Sequence, residues 1–446
     1  MLQHPLDPSR EAYLAHPTER VGGTVAIPGD KSVSHRALLL GAVAEGATTI
    51  SGFLQSDDCL ATLAAVRAMG VTVDEDPQMT VMGVGPDGLT APDAPLDLGN
   101  SGTTMRLLMG LLAAQPFDSV VTGDESLRQR PMERVAEPLR AMGARIATDQ
   151  GRAPVRIRGA RPLQGVDYTL PVASAQMKSA ILLAGLWANG STTVRSPAPS
   201  RDHTERMLLT MGVRLEQESD CIVSVAGPTT LTGTAIEIPG DFSSAAFFIV
   251  AGVLGAADGL LLPAVGVNPT RTGLLTILRN MGGHIELRNE RRCGAEPLAD
   301  IYVEQSELRG VEIGAELVAL SIDELPVLFV AAAAAEGRTV VTGAGELRHK
   351  ESDRLAVMAA GLRTLGVNVD EQPDGLAIEG GKLLGGSVES HGDHRIAMAF
   401  AIASLRAREP IEILGTGQVA TSFPDFLTTA SQSGLRLEST ADIAHD

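Results

Sequence analysis

With 446 residues the chain is longer than one hydrophobic core ordinarily serves, so two domains are the expectation. A formal charge of −18 argues against general attraction to nucleic acid or acidic membranes, and 3% aromatic residues give few stacking platforms for single strands. Three cysteines, Cys59, Cys221 and Cys293, are odd in number and far apart, which indicates neither a disulfide framework nor a thiolate metal site. The opening stretch, residues 1–13, lacks the apolar core of a secretory leader. The run Phe242 to Ala257, as long as any uncharged run in the chain, falls short of the roughly 20 residues a membrane helix needs. A soluble cytoplasmic protein with no membrane or nucleic-acid partner is expected.

One pattern recurs six times: a Gly, Ser or Asp-rich turn, a long Ala/Leu/Val run, a Gly-Thr-Val style exit, and an amphipathic stretch closing near Met-Gly. The closing glycines are Gly70, Gly143, Gly212, Gly282, Gly366 and Gly434. In chain order, Lys31-Ser32 opens a helix whose run Ala37 to Ala44 is apolar almost all round, which means burial on every side. Thr48 to Ser51 then reads as a short strand, and Leu60 to Met69 as a half-exposed helix. Ser101-Gly102 opens the second buried helix, followed by an amphipathic one over Met132 to Met142. Ser174-Ala175-Gln176 opens the third, with apolar positions Ala180 to Ala188 and a strand over Thr192 to Val194. Ser243-Ser244 precedes Ala245 to Leu254, and Asp323-Glu324 precedes Leu325 to Ala335, a strand over Thr339 to Thr342 and a helix over Leu355 to Leu365. Asp393-His394 opens the sixth, over Ala397 to Leu405. The predicted class is α/β: six βαβαββ-like repeats, three per domain, with sheets outside and a helix bundle within.

Most repeat positions only build the fold; the polar residues at the helix starts are the exception. Such starts leave backbone N–H groups open and carry partial positive charge, so they suit an anion. Charges gather there although burying an unpaired charge costs several kcal/mol. Lys31 sits at the first turn with Arg36 a little over one helical turn on, without the spacing of a Walker loop, and Gly99 to Arg106 is a small-residue turn that taken alone is a simple cap. Arg130 lies in a loop beside Pro131, where an arginine is more often solvated than functional, and His349 to Arg354 alternates charge as a wet helix face does. His391, Asp393 and His394 lack the further ligand a metal site needs. Together, helix starts bearing Lys or Arg with the carboxylates Asp323 and Glu351 describe a cleft for a small polyanion with acid-base groups beside it.

Eight segments then carry a resemblance: PGDKSVSHRALLL from Pro28, LGNSGTTMRLL from Leu98, GDESLRQRPM from Gly123, SAQMKSAILLAG from Ser174, SRDHTERML from Ser200, KESDRL from Lys350, DHRIAMAF from Asp393 and TSFPDF from Thr421. In this order they resemble the 3-phosphoshikimate 1-carboxyvinyltransferases, the EPSP synthase family of the shikimate pathway, and within it the divergent second branch. The resemblance runs from about Val21 to Leu435. It implies the two-domain inside-out α/β fold of the enolpyruvyl transferases, with a discontinuous domain of residues 1–28 and 240–446, an inserted domain of residues 29–239, and the active site in the cleft between them. It implies transfer of the enolpyruvyl group of phosphoenolpyruvate to the 5-hydroxyl of 3-phosphoshikimate by addition and elimination, on the route to chorismate and the aromatic amino acids, with no metal and no organic cofactor, by a monomer.

Carried over position by position, the resemblance implies that Lys31, Ser32, Arg36, Ser174, Ala175, Gln176, Arg201, Asp323 and Lys350 hold 3-phosphoshikimate. Lys31, Asn100, Gly102, Arg130, Gln176, Arg354 and Arg395 would hold phosphoenolpyruvate. Asp323, Glu351 and Lys31 would be the catalytic groups. The alternative is a UDP-N-acetylglucosamine enolpyruvyl transferase, which usually carries a reactive cysteine before its Arg-Pro; the loop Asp124 to Gln129 has none. Thr421 stands where many members have lysine.

Overall fold

The computed structural model describes residues 11–440; residues 1–10 of the opening stretch lie outside the described residues. The chain divides into two compact units. A discontinuous unit takes the chain up to Pro28, Gly240–Arg291 and everything from Pro297 on; an inserted unit takes Gly29–Pro239 and Arg292–Glu296. The sequence leads one to expect residues 240–446 as a single stretch, and residues 292–296 depart from that. They form the tip of the hairpin His284–Cys293 and Glu296–Glu304. The departure has a local cause: Glu296 Oε1 lies 2.8 Å from His203 Nδ1, both buried, and Arg206 Nη1 donates to the Ala295 carbonyl at 2.9 Å.

The inserted unit holds α1 (Lys31–Ala42), α2 (Asp57–Ala68), α3 (Gly102–Ala113), α4 (Glu125–Gln129), α5 (Glu133–Ala141), α6 (Ala175–Gly185) and α7 (His203–Thr210). The discontinuous unit holds α8 (Phe242–Gly255), α9 (Gly273–Asn280), α10 (Ala315–Ala319), α11 (Leu325–Ala334), α12 (Arg354–Thr364), α13 (His394–Ala403) and α14 (Phe426–Gln432). Each unit has its own apolar core, and α1, α3, α6, α8, α11 and α13 are buried along most or all of their length. Close packing of α3 on α6 depends on a missing side chain: a Cβ on Gly110 would stand 2.1 Å from the Ala180 carbonyl oxygen.

Among the described residues six four-stranded sheets share one topology, a parallel edge pair followed by two antiparallel pairings. In the second repeat Leu96–Asp97 runs parallel to Ser119–Thr122, which pairs antiparallel with Arg152–Arg158, itself antiparallel to Arg145–Asp149. In the first, the edge strand Ala235–Glu237 comes from the far end of the inserted unit and pairs with Glu45–Ser51. In the last, Ala12–His16 inserts between Ile411–Leu414 and Arg436–Ser439.

The repeat is written in the helix ends. Five of the six buried helices are capped by a side chain that accepts a backbone N–H: Asp30, Ser101, Ser174, Asp241 and Asp393. Glu324, the cap of α11, makes no such bond. The six closing glycines all have φ between +83° and +103°. At each the glycine N–H and the next N–H turn back to the last turn of the helix, as Gly70 does to Arg67 and Val71 to Val66. Only glycine adopts this left-handed stop at little steric cost, which is why Met-Gly punctuates the sequence.

Candidate active site

In the inserted unit the side chains gather at the starts of α1, α3 and α6. Lys31 opens α1 and its Nζ lies 2.5 Å from Asp58 Oδ2, on the first turn of α2. Arg36 is buried and fully engaged: Nη1 donates to the Ser32 carbonyl at 3.0 Å, Nε to Thr204 Oγ1 at 2.7 Å, and Nη2 to Ser179 Oγ at 3.0 Å. Burial pulls its guanidinium down to about 10, with the charge of Arg201 acting in the same direction against nearby carboxylates, so it stays cationic at neutral pH. Ser32 and Arg201 are half-buried.

Ser174 caps α6, placing Ala175 and Gln176 in its first turn; Ala175 offers a backbone N–H and a methyl group. Gln176 Oε1 accepts from Arg106 Nη1 at 2.7 Å and Gln176 Nε2 donates to Thr103 Oγ1 at 3.0 Å. At the start of α3, Asn100 Oδ1 accepts from Arg130 Nη2 at 2.7 Å while Asn100 Nδ2 donates to Asp124 Oδ2 at 2.8 Å. Gly102 faces both guanidinium groups: a Cβ there would stand 2.9 Å from Arg130 Nη1 and 3.1 Å from Arg106 Nη1. Asn100, Gly102, Arg130 and Gln176 are thus brought together with Arg106, a residue sequence reasoning passed over. Its signal was a charge four positions into an otherwise apolar helix, at a site only 6% exposed.

In the discontinuous unit Asp323, Lys350, Glu351, Arg354 and Arg395 form one ionic cluster. Lys350 Nζ is 3.2 Å from Asp323 Oδ1, and Arg354 Nη1 is 3.5 Å from the same oxygen. Arg354 Nη2 donates to Glu351 Oε2 at 2.7 Å, and Arg395 Nη1 donates to the Asp323 carbonyl at 3.3 Å. Asp393, also missed as a site residue, accepts from Arg354 and from Ser352 Oγ. Burial works against the Arg354 charge, but Asp393, Glu351 and Asp323 more than offset it and raise its pKa above that of an ordinary arginine. Thr421 Oγ1 donates to the Gln418 carbonyl at 2.7 Å, closing its own turn and adding no charge. Among the described residues no group of three or more His, Cys, Asp or Glu is arranged to hold a metal ion. No helix of the described residues is long and apolar enough to cross a membrane.

Two arginine-rich clusters, one with Asp323, Glu351 and Asp393 beside its cations, suit small polyanions, and comparison with known proteins settles the lineage. The family model described as EPSP synthase (3-phosphoshikimate 1-carboxyvinyltransferase) matches residues 15–429. The chain belongs to the EPSP synthase family. It is 58% identical over 429 residues to the 3-phosphoshikimate 1-carboxyvinyltransferase of Alkalilimnicola ehrlichii, covering 95% of this chain and 96% of that protein. To the protein of the same name from Acidithiobacillus ferrooxidans it is 55% identical over 428 residues, 96% of this chain and 98% of the relative. Among solved structures, EPSP synthase from Acinetobacter baumannii superposes with a TM-score of 0.87 at 50% identity, covering 96% of this chain and 99% of that one. The enolpyruvyl transferase NikO from Streptomyces tendae, at 18% identity and a TM-score of 0.76, shares the fold. The EPSP synthase match extends through both units and includes every site residue named in this section.

Proposed function

We propose that this chain transfers the enolpyruvyl group of phosphoenolpyruvate to the 5-hydroxyl of 3-phosphoshikimate, giving 5-enolpyruvylshikimate 3-phosphate and inorganic phosphate. The observation that carries the reading is the pair of carboxylates, Asp323 and Glu351, each within reach of the buried Arg354 guanidinium, 3.5 and 2.7 Å away. The reaction needs one group to take a proton from a hydroxyl and another to deliver one to an alkene carbon.

In this reading Arg130, Arg354 and Arg395 grip the carboxylate and phosphate of phosphoenolpyruvate through paired charge-assisted hydrogen bonds, beside Asn100, Gly102 and Gln176. Lys31, Ser32, Arg36, Ser174, Ala175, Gln176, Arg201, Asp323 and Lys350 hold 3-phosphoshikimate, and Lys31 touches phosphoenolpyruvate as well. Asp323 accepts the 5-hydroxyl proton as that oxygen bonds to C2 of phosphoenolpyruvate, and C3 gains a proton through Glu351. The tetrahedral adduct then returns a C3 proton to the Glu351 carboxylate as the C2–O bond to phosphate breaks, which regenerates the alkene and releases phosphate. Lys31 stabilises negative charge as it develops on the substrates. No step calls for a metal or an organic cofactor. The enzyme is proposed to act as a monomer in the cytoplasm; sedimentation of the purified protein checks the oligomeric state.

Phosphate release tests the activity. It should require both substrates and should vanish when UDP-N-acetylglucosamine replaces 3-phosphoshikimate. Release with the nucleotide sugar alone as acceptor would reverse the assignment.

A further inference from the structure

His35 belongs to none of the roles above, yet it is fully buried at the centre of a continuous chain of polar side chains. Its Nδ1 lies 2.7 Å from Thr62 Oγ1 and 3.2 Å from Thr104 Oγ1. Thr62 Oγ1 and Thr104 Oγ1 are 2.6 Å apart, and Thr104 Oγ1 is 2.6 Å from Ser101 Oγ. All four residues have no exposed surface. Ser101 Oγ in turn accepts the Thr104 N–H as the cap of α3.

The tautomer of the ring follows from its other edge, where Nε2 is buried with no partner among the described residues. An orphaned acceptor is tolerated better than an orphaned N–H, which favours the tautomer carrying its proton on Nδ1. Nδ1–H then donates to Thr62 Oγ1; the Thr62 O–H reaches the Asp58 carbonyl at 3.2 Å, and with Thr104 O–H donating to Thr62 and Ser101 O–H to Thr104 every proton of the chain has an acceptor. Burial and the nearby charges of Lys31 and Arg36 keep the ring neutral, so both ends of this chain persist across the neutral range.

The chain has two ends of functional interest. Thr62 lies one turn beyond Asp58 on α2, and Asp58 holds Lys31. Ser101 sits between Asn100 and Gly102. Arg36, the next residue after His35 on α1, is braced separately by Thr204 and Ser179, which are themselves 2.7 Å apart. One helix thus presents two neighbouring residues to two independent hydroxyl pairs.

We propose that His35, Thr62 and Thr104 are positioning residues that act mainly on phosphoenolpyruvate, fixing the Asn100–Gly102 turn in register with the Lys31–Asp58 pair, whereas the Thr204–Ser179 pair positions the 3-phosphoshikimate side. The proposal rests on the assignment of Asn100 and Gly102 to phosphoenolpyruvate and of Lys31 to both substrates.

The test is the Michaelis constant for each substrate in His35→Leu, Thr62→Val and His35→Asn, with melting temperature measured in parallel. Thr62→Val keeps the shape and removes only the hydroxyl, so it reports even if His35→Leu folds poorly. Leu and Val should each raise KM for phosphoenolpyruvate about tenfold, the scale of one lost buried hydrogen bond, and raise KM for 3-phosphoshikimate by no more than about threefold, through Lys31. His35→Asn, whose amide nitrogen reaches the place of Nδ1, should restore KM to within about threefold of the parent. Thr204→Val should show the opposite split. Equal rises in both constants, or a lower melting temperature with neither constant changed, would overturn the proposal. Lys31→Met separates the underlying assignment: if that variant turns over normally, the site reading fails whatever His35 does.

Discussion

Arg354 reaches the Asp393 carboxylate through two donors, Nε to Oδ2 at 2.8 Å and Nη2 to Oδ1 at 3.2 Å, with side chains 1% and 0% exposed. The same carboxylate accepts Ser352 Oγ at 3.0 Å and caps α13 through the Arg395 N–H at 3.0 Å. One buried anion therefore fixes a guanidinium, a loop and a helix start together.

Asp393→Asn should accordingly cost about 1–3 kcal/mol of stability, because it removes the most buried of the three carboxylates that compensate Arg354 while Glu351 and Asp323 remain. Arg354→Lys should lose activity as well, since an ammonium cannot reproduce the two-donor geometry. Calorimetric unfolding and phosphate release measure the two effects. A melting temperature unchanged in Asp393→Asn would contradict the description of this cluster.

Asp323→Ala should lower kcat by about 100- to 10,000-fold, the usual contribution of a general base, while 3-phosphoshikimate binding is largely kept by the inserted unit's cations. Titration calorimetry and steady-state kinetics on one preparation give both numbers. Near-normal turnover removes Asp323 from the mechanism.

Gly102→Ala should raise KM for phosphoenolpyruvate about tenfold and spare KM for 3-phosphoshikimate. The added methyl would meet Arg130 Nη1 at 2.9 Å and Arg106 Nη1 at 3.1 Å, so both guanidinium groups must move off their positions. With glycine in place the turn stays open, and glyphosate should compete with phosphoenolpyruvate in the parent enzyme. Inhibition at millimolar glyphosate that is not competitive would count against this account of the turn.

His35 should make the inserted unit less stable in mild acid. Burial first, then Lys31 and Arg36, hold its pKa well below the ordinary 6.5. Between the folded value and 6.5 the unfolded chain takes up a proton that the native chain refuses. Stability is therefore complete above that window and falls as pH drops through it, by at most about 1.4 kcal/mol per pH unit. Trp187, the single tryptophan, is buried in this unit and reports its unfolding by fluorescence. His35→Asn should flatten the slope, and an identical slope in parent and variant would assign the effect elsewhere.

Much of the candidate site was legible in the motif strings. Lys31, Gly102, Arg130, Gln176, Asp323, Arg354 and Arg395 stand at helix starts or beside them, where a charged or small residue is visible against an apolar run. Their partners were not legible. Asp58, Arg106 and Asp393 read as ordinary helix residues or caps until Lys31, Gln176 and Arg354 are found against them, and the hairpin tip at residues 292–296 gives no sign in sequence of joining the inserted unit.

Local chemistry explains the difference. A cap accepts an N–H two or three residues away and a closing glycine stops the helix it follows, so the six repeats and their helix starts are fixed by short-range backbone geometry that the sequence spells out directly. The pairing of Arg354 with Asp393, of Lys31 with Asp58, and of His35 with Thr62 and Thr104 joins residues on different helices. No spacing rule specifies those meetings; the packing of buried helices places the side chains, and only the folded chain shows which charge is neutralised by which.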